Sequence, residues 1–66
     1  MQLVVNGETR EFADIQTVQQ LLEKLGYEPK SIAVAINGQF VPRHEYPTFQ
    51  LAEKQALEVV APMQGG

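Results

Sequence analysis

At 66 residues the chain makes one small domain, and 44% apolar residues suffice for a modest core and argue against global disorder. It has no cysteine, which excludes disulfides, thiolate metal sites and a cysteine nucleophile. A net charge of −3 with five scattered Lys and Arg speaks against a nucleic-acid binder and suits a partner with a basic docking surface.

The single histidine, His44, has no Asp/Glu cluster around it, so no metal site is expected. His44 reads as a surface residue. The chain begins in a strand pattern, without the basic and apolar regions of a signal peptide, and has no apolar run of membrane-span length. The expectation is a cytoplasmic protein that binds neither nucleic acid nor membrane.

Residues 2–6 read as a strand, with Leu3 and Val5 on one face by the two-residue period. Asn6-Gly7 is a strong hairpin signal, because a type I′ turn needs positive φ at both central positions. Residues 8–12 form the return strand, with Phe12 as core anchor. After a loop over 13–16, Thr17 starts a helix. Thr17 and Gln20 have the capping-box spacing. Val18, Leu21, Leu22 and Leu25 make one apolar stripe at i, i+3, i+4 and i+7. Gly26 is a natural stop, and Pro29 prevents continuation. A helix this short must cover a sheet to be stable.

Residues 31–36 form a third strand, almost wholly apolar, which suits a central position or a face that meets a partner. Asn37-Gly38 turns it into Gln39-Phe40-Val41, which ends at Pro42-Arg43. Residues 44–48 are irregular, and Phe49 and Leu51 tuck beneath them. A turn over 51–55 leads to the last strand, 56–61. Leu57, Val59 and Ala61 share one side of it; Glu58 and Val60 share the other. One helix among several strands indicates an α+β layer pair, a mixed sheet with the helix across one face. The first and last strands pair in parallel at its centre.

Residues 62–66 read as a flexible arm beyond a domain of residues 1–61. Pro62 cannot donate a ladder hydrogen bond and holds Ala61 extended. Gly65 and Gly66 have no side chains to pack and few backbone restrictions. Such an end suits threading into another protein's narrow active site. Five residues at roughly 3.3 Å each reach on the order of 16 Å.

The element order and the Gly65-Gly66 end resemble the ubiquitin-like β-grasp family. Ala35-Ile36-Asn37, Val41-Pro42-Arg43 and the Gly-Gly end together narrow the resemblance to the ThiS family, sulfur carriers of bacterial thiamine biosynthesis. It covers the whole chain. Two departures are Lys54-Gln55 where the family often has a Gly-Asp turn, and Met63-Gln64 where relatives often have small or aliphatic residues.

The resemblance implies a role for the chain's last group. The Gly66 carboxylate is adenylated with ATP by an E1-like partner, ThiF. It accepts sulfur from a persulfide donor such as a cysteine desulfurase. As a thiocarboxylate it then delivers sulfur to thiazole synthase, ThiG. The chain is then a co-substrate, not an enzyme, and ATP is used by the partner. Gly65 is the slim neighbour that admits Gly66 to the active site, and Pro62, Met63 and Gln64 are the spacer.

In a one-helix, one-sheet body the second sheet face lacks internal cover. Phe40, Val60, Ala33 and Ala35 are candidates for a docking patch there. Val41 could join them, but leans towards the core. Arg43 could meet a partner carboxylate, or simply be solvated. Two alternatives share the fold: a MoaD-like small subunit of molybdopterin synthase, and a β-grasp binding module without tail chemistry. No Ser/His/Asp, Cys/His or paired-carboxylate constellation supports a small enzyme.

Overall fold

Two Asn-Gly pairs frame the sheet. Asn6 and Gly7 have φ of 51° and 83°, and Asn37 and Gly38 have φ of 55° and 80°. Positive φ at both central residues is the type I′ geometry, whose twist matches that of the flanking strands. The first pair joins β1 (Gln2–Val5) to β2 (Glu8–Glu11), and the second joins β3 (Ala33–Ile36) to β4 (Gln39–Phe40). These elements come from a computed structural model that describes residues 1–61.

The last strand, β5 (Ala56–Val60), occupies the centre of the sheet, in the order β2-β1-β5-β3-β4. It runs parallel to β1, with Val4 opposite Ala56 and Val5 opposite Leu57. It runs antiparallel to β3, with Ala33 opposite Val60 and Ile36 opposite Leu57. The parallel central pair is therefore as the patterns of the first and last strands indicate.

Helix α1 (Val18–Leu25) lies against one face. Its capping box is complete. The Gln20 amide donates to Thr17 Oγ1 at 3.2 Å, and Gln20 Oε1 accepts from the Thr17 amide at 3.1 Å. Gly26 ends the helix at φ 84°, and its N–H turns back to the Glu23 carbonyl at 3.2 Å. Val18, Leu21 and Leu22 are fully buried against Leu3, Val5, Val34, Ile36, Leu57 and Val59 of the sheet. Leu25 packs at the margin of this core, while Phe12 and Ile15 close its end.

The structure shortens several strands. Ser31 is not in β3; it ends a 3-10 turn, Pro29–Ser31, that Pro29 initiates. Proline at the first position of a helical turn loses no useful donor. Val41 lies beyond β4, although its N–H still reaches the Val34 carbonyl at 2.8 Å. Its side chain is buried, so Val41 belongs to the core and not to a docking patch.

The segment from Arg43 to Leu51 has more order than Pro47 within it and Pro42 before it suggest. It opens with a 3-10 turn, Arg43–Glu45. Tyr46 then enters the core and is only 2% exposed. Leu51 is buried beneath this segment and Phe49 partly so, as expected, but Tyr46 goes deepest. The segment also caps α1. Val18 N–H donates to the Phe49 carbonyl at 3.1 Å and Gln19 N–H to the Tyr46 carbonyl at 3.0 Å. Both are donors that a helix start leaves without an internal partner. No helix among the described residues is long and apolar enough to cross a membrane.

Candidate docking face and carboxyl-terminal site

The sheet face away from α1 follows from strand periodicity. Val34 and Ile36 point to the helix, so Ala33 and Ala35 point away. Register carries this across the sheet. Ala35 stands opposite Phe40 of β4 on one side and Glu58 of β5 on the other. Ala33 stands opposite Val60.

Four of the candidate residues therefore form one patch. Phe40 is 68% exposed and Val60 45% exposed, the two largest apolar contributions on this face. Ala33 is half-buried between them, and Ala35 is 8% exposed. Ala35 is thus a floor under the patch and offers a partner little area of its own. The period that buries Leu3 and Val5 also sends Val4 to this face, opposite Ala56. Val4 and Ala56 were legible from the same alternation but were not among the candidates. Glu58 is the one charged side chain of β5, and it interrupts the apolar surface. A partner that covers the patch must supply a donor for it or leave it at the rim.

Arg43 does not point at a vacancy waiting for a carboxylate. Its Nε donates to the Pro29 carbonyl at 2.9 Å and its Nη2 to the Ile32 carbonyl at 3.1 Å. The planar guanidinium thus ties the turn after β4 to the entry of β3. His44 is exposed, with Nε2 3.9 Å from a Glu45 carboxylate oxygen.

The last described residue is Ala61, which follows the Val60–Ala33 pair. The described chain therefore ends beside the apolar patch. Pro62, Met63, Gln64, Gly65 and Gly66 lie outside the described residues. One contact near this point had no forecast from the sequence. The Asn6 side chain accepts the Val59 N–H on Oδ1 at 2.8 Å and donates from Nδ2 to the Val59 carbonyl at 3.2 Å.

Comparison with known proteins gives one answer at three levels. The model of the ThiS family matches residues 3–66. The chain is 39% identical over 62 residues to the sulfur carrier protein ThiS of Thermus thermophilus, covering 94% of this chain and 95% of that protein. It is 41% identical over 46 residues to the sulfur carrier protein ThiS of Escherichia coli, covering 70% of each. It is also 39% identical over 66 residues to a thiazole synthase of Paramagnetospirillum magneticum, and there the whole chain spans only 20% of the relative's length. The crystal structure of the thiamine biosynthesis protein ThiS from Geobacter metallireducens superposes with a TM-score of 0.83 at 26% identity, over 100% of both chains. The mixed five-stranded sheet with one α-helix of this chain therefore matches the β-grasp fold of that structure.

Proposed function

The chain belongs to the ThiS family of sulfur carrier proteins, and from that premise we propose that the Gly66 carboxyl group is where this chain carries sulfur for thiazole formation in thiamine biosynthesis. The observation that carries the reading is the family match, which runs through Gly65 and Gly66 to residue 66. Physical chemistry supplies the steps. A carboxylate is a poor acyl donor until one oxygen becomes a good leaving group. Attack of a Gly66 carboxylate oxygen on the α-phosphorus of ATP releases pyrophosphate and leaves an acyl-adenylate. The terminal sulfur of a persulfide then attacks the carbonyl carbon, and AMP departs. A thiol that cleaves the resulting acyl S–S bond, itself becoming half of a disulfide, frees the thiocarboxylate.

The persulfide attack needs open approach to the carbonyl carbon. Neither Gly65 nor Gly66 has a Cβ to obstruct it. The chain supplies the reacting carboxyl and the partners supply the catalytic groups, so the chain is a co-substrate. The partners are an E1-like adenylating enzyme of the ThiF kind, which uses the ATP, a thiazole synthase of the ThiG kind, and a cysteine desulfurase or other persulfide donor. A thiazole synthase that contains a counterpart of this whole chain supports the second of these. Phe40 and Val60 give both enzymes an apolar surface to dock on, next to the point where chain leaves for Gly66. Pro62, Met63 and Gln64 are the spacer that spans from that surface to the active site.

Adding one residue after Gly66 tests the reading. The carboxylate then sits one residue too far on, and adenylation by a ThiF-like enzyme should be lost. Full ATP–pyrophosphate exchange by the extended chain, with intact mass showing no trimming, would overturn it.

A further inference from the structure

The pairing of β1 with β5 does not end where the β1 backbone leaves the sheet. Val4 N–H donates to the Gln55 carbonyl and Asn6 N–H to the Leu57 carbonyl, both at 3.0 Å. A parallel ladder continued at this spacing would send Val59 N–H to the Asn6 carbonyl, and the residue 8 N–H to the Val59 carbonyl. The backbone cannot make those bonds, because it turns away at Asn6, φ 51°, and Gly7, φ 83°. The Asn6 carboxamide takes their place. Its Oδ1 accepts from Val59 N–H at 2.8 Å, and its Nδ2 donates to the Val59 carbonyl at 3.2 Å. One side-chain amide thus stands in for the next peptide group of the strand. It is the final bond to β5 on that flank among the described residues, two residues before Ala61.

On the opposite flank Val60 is paired with Ala33 of β3. Strand geometry sends the N–H and C=O of alternate residues to opposite flanks. Val59 is therefore held from one side and Val60 from the other. Remove the Asn6 carboxamide and the end of β5 hangs on β3 alone.

We propose that Asn6 is a positioning residue for the reaction at Gly66: by clamping Val59 it fixes the end of β5, from which the chain continues to Gly66. The inference rests on Gly66 being the reacting group. Reaction in a narrow active site depends on placement, and a displacement of about 1 Å can cost a hundredfold in rate. Asn6 touches neither ATP nor the partner in this account. It acts through β5.

The test compares three variants in ATP–pyrophosphate exchange with a ThiF-like enzyme that turns over the wild-type chain. Asn6→Gly accepts positive φ and removes the carboxamide. Asn6→Asp keeps an acceptor for Val59 N–H and loses the donor. Thr17→Ala removes the helix cap on the far side of the molecule and is a stability control. Asn6→Gly is expected to lower kcat about tenfold or more, with the Kd for the enzyme unchanged because the apolar patch is intact. Asn6→Asp falls between it and the wild type. Thr17→Ala keeps the wild-type kcat. In the free protein, hydrogen exchange at Val59 speeds selectively in Asn6→Gly and not in Thr17→Ala.

Faster exchange at Val59 with unchanged kcat overturns the proposal. So does a kcat loss that Thr17→Ala reproduces at equal stability, or one accompanied by an equal rise in Kd. If no ThiF-like enzyme turns over the wild-type chain while one does turn over the Thermus thermophilus ThiS, the carrier reading itself fails; the exchange result at Val59 reads separately.

Discussion

The side chain of Asn6 is bonded through both of its polar atoms to the backbone of Val59, 53 residues further along the chain. The equivalent residue of the second hairpin, Asn37, has the same backbone conformation, φ 55° against 51°, but makes no such cross-strand bond among the described residues. The two Asn-Gly turns look identical in the sequence and do different work. Asn6→Gly should therefore cost about 1 kcal/mol, the net value of two part-buried hydrogen bonds less any relief of turn strain. Asn37→Gly should change stability by less than about 0.5 kcal/mol, since glycine takes positive φ freely. Urea unfolding of the two variants checks the contrast.

Arg43 is the second long-range clamp. Its two donors reach the carbonyls of Pro29 and Ile32 in a fixed fork. Lysine offers a single flexible ammonium and cannot span both. Arg43→Lys should accordingly lose nearly as much stability as Arg43→Ala, about 1 kcal/mol after allowance for the exposed site. Thermal unfolding of the two variants side by side measures it, and a Lys variant as stable as wild type would assign Arg43 no clamping role.

Phe40 should separate stability from association. At 68% exposure it contributes little to the core. Phe40→Ala is expected to leave the unfolding free energy within about 0.5 kcal/mol of wild type. It should weaken binding to the adenylating enzyme or the thiazole synthase about tenfold or more, as truncation of an aromatic anchor does. Calorimetric titration with each enzyme checks this. Equal affinity of the variant for both would remove Phe40 from the docking face.

Local signals account for what was legible in the sequence. Two Asn-Gly pairs, a Thr17–Gln20 capping box and a leucine stripe each name an element without reference to the rest of the chain. The parallel pairing of the first and last strands came from their patterns together with the helix between them. Three features were not legible, and two of them, Tyr46 and Asn6, depend on contacts distant in sequence. Tyr46 sits between a histidine-containing turn and a proline, with no periodicity to mark it as core; it is buried because Arg43–Glu45 folds it inward beneath the helix start. Ser31 looked like strand, but Pro29 begins a 3-10 turn there. Asn6 looked like a turn residue and no more. The turn before β5 places Lys54 at φ 65°, a conformation glycine adopts at lower cost. Its N–H bonds the Gln2 carbonyl at 2.6 Å, which holds that geometry.

At the candidate site the patch was legible and its depth was not. Alternation alone sends Ala33, Ala35, Val60 and Phe40 to one face. It does not say that Ala35 is the floor and Phe40 the wall, which depends on β4 lying at the sheet edge.

The measurement closest to the central claim is the intact mass of the chain after incubation with a ThiF-like enzyme, ATP and a persulfide donor. The account predicts a gain equal to one oxygen replaced by sulfur, mapped by fragmentation to the carboxyl group of Gly66. An unchanged mass, under conditions that convert the Thermus thermophilus ThiS to its thiocarboxylate, would contradict it.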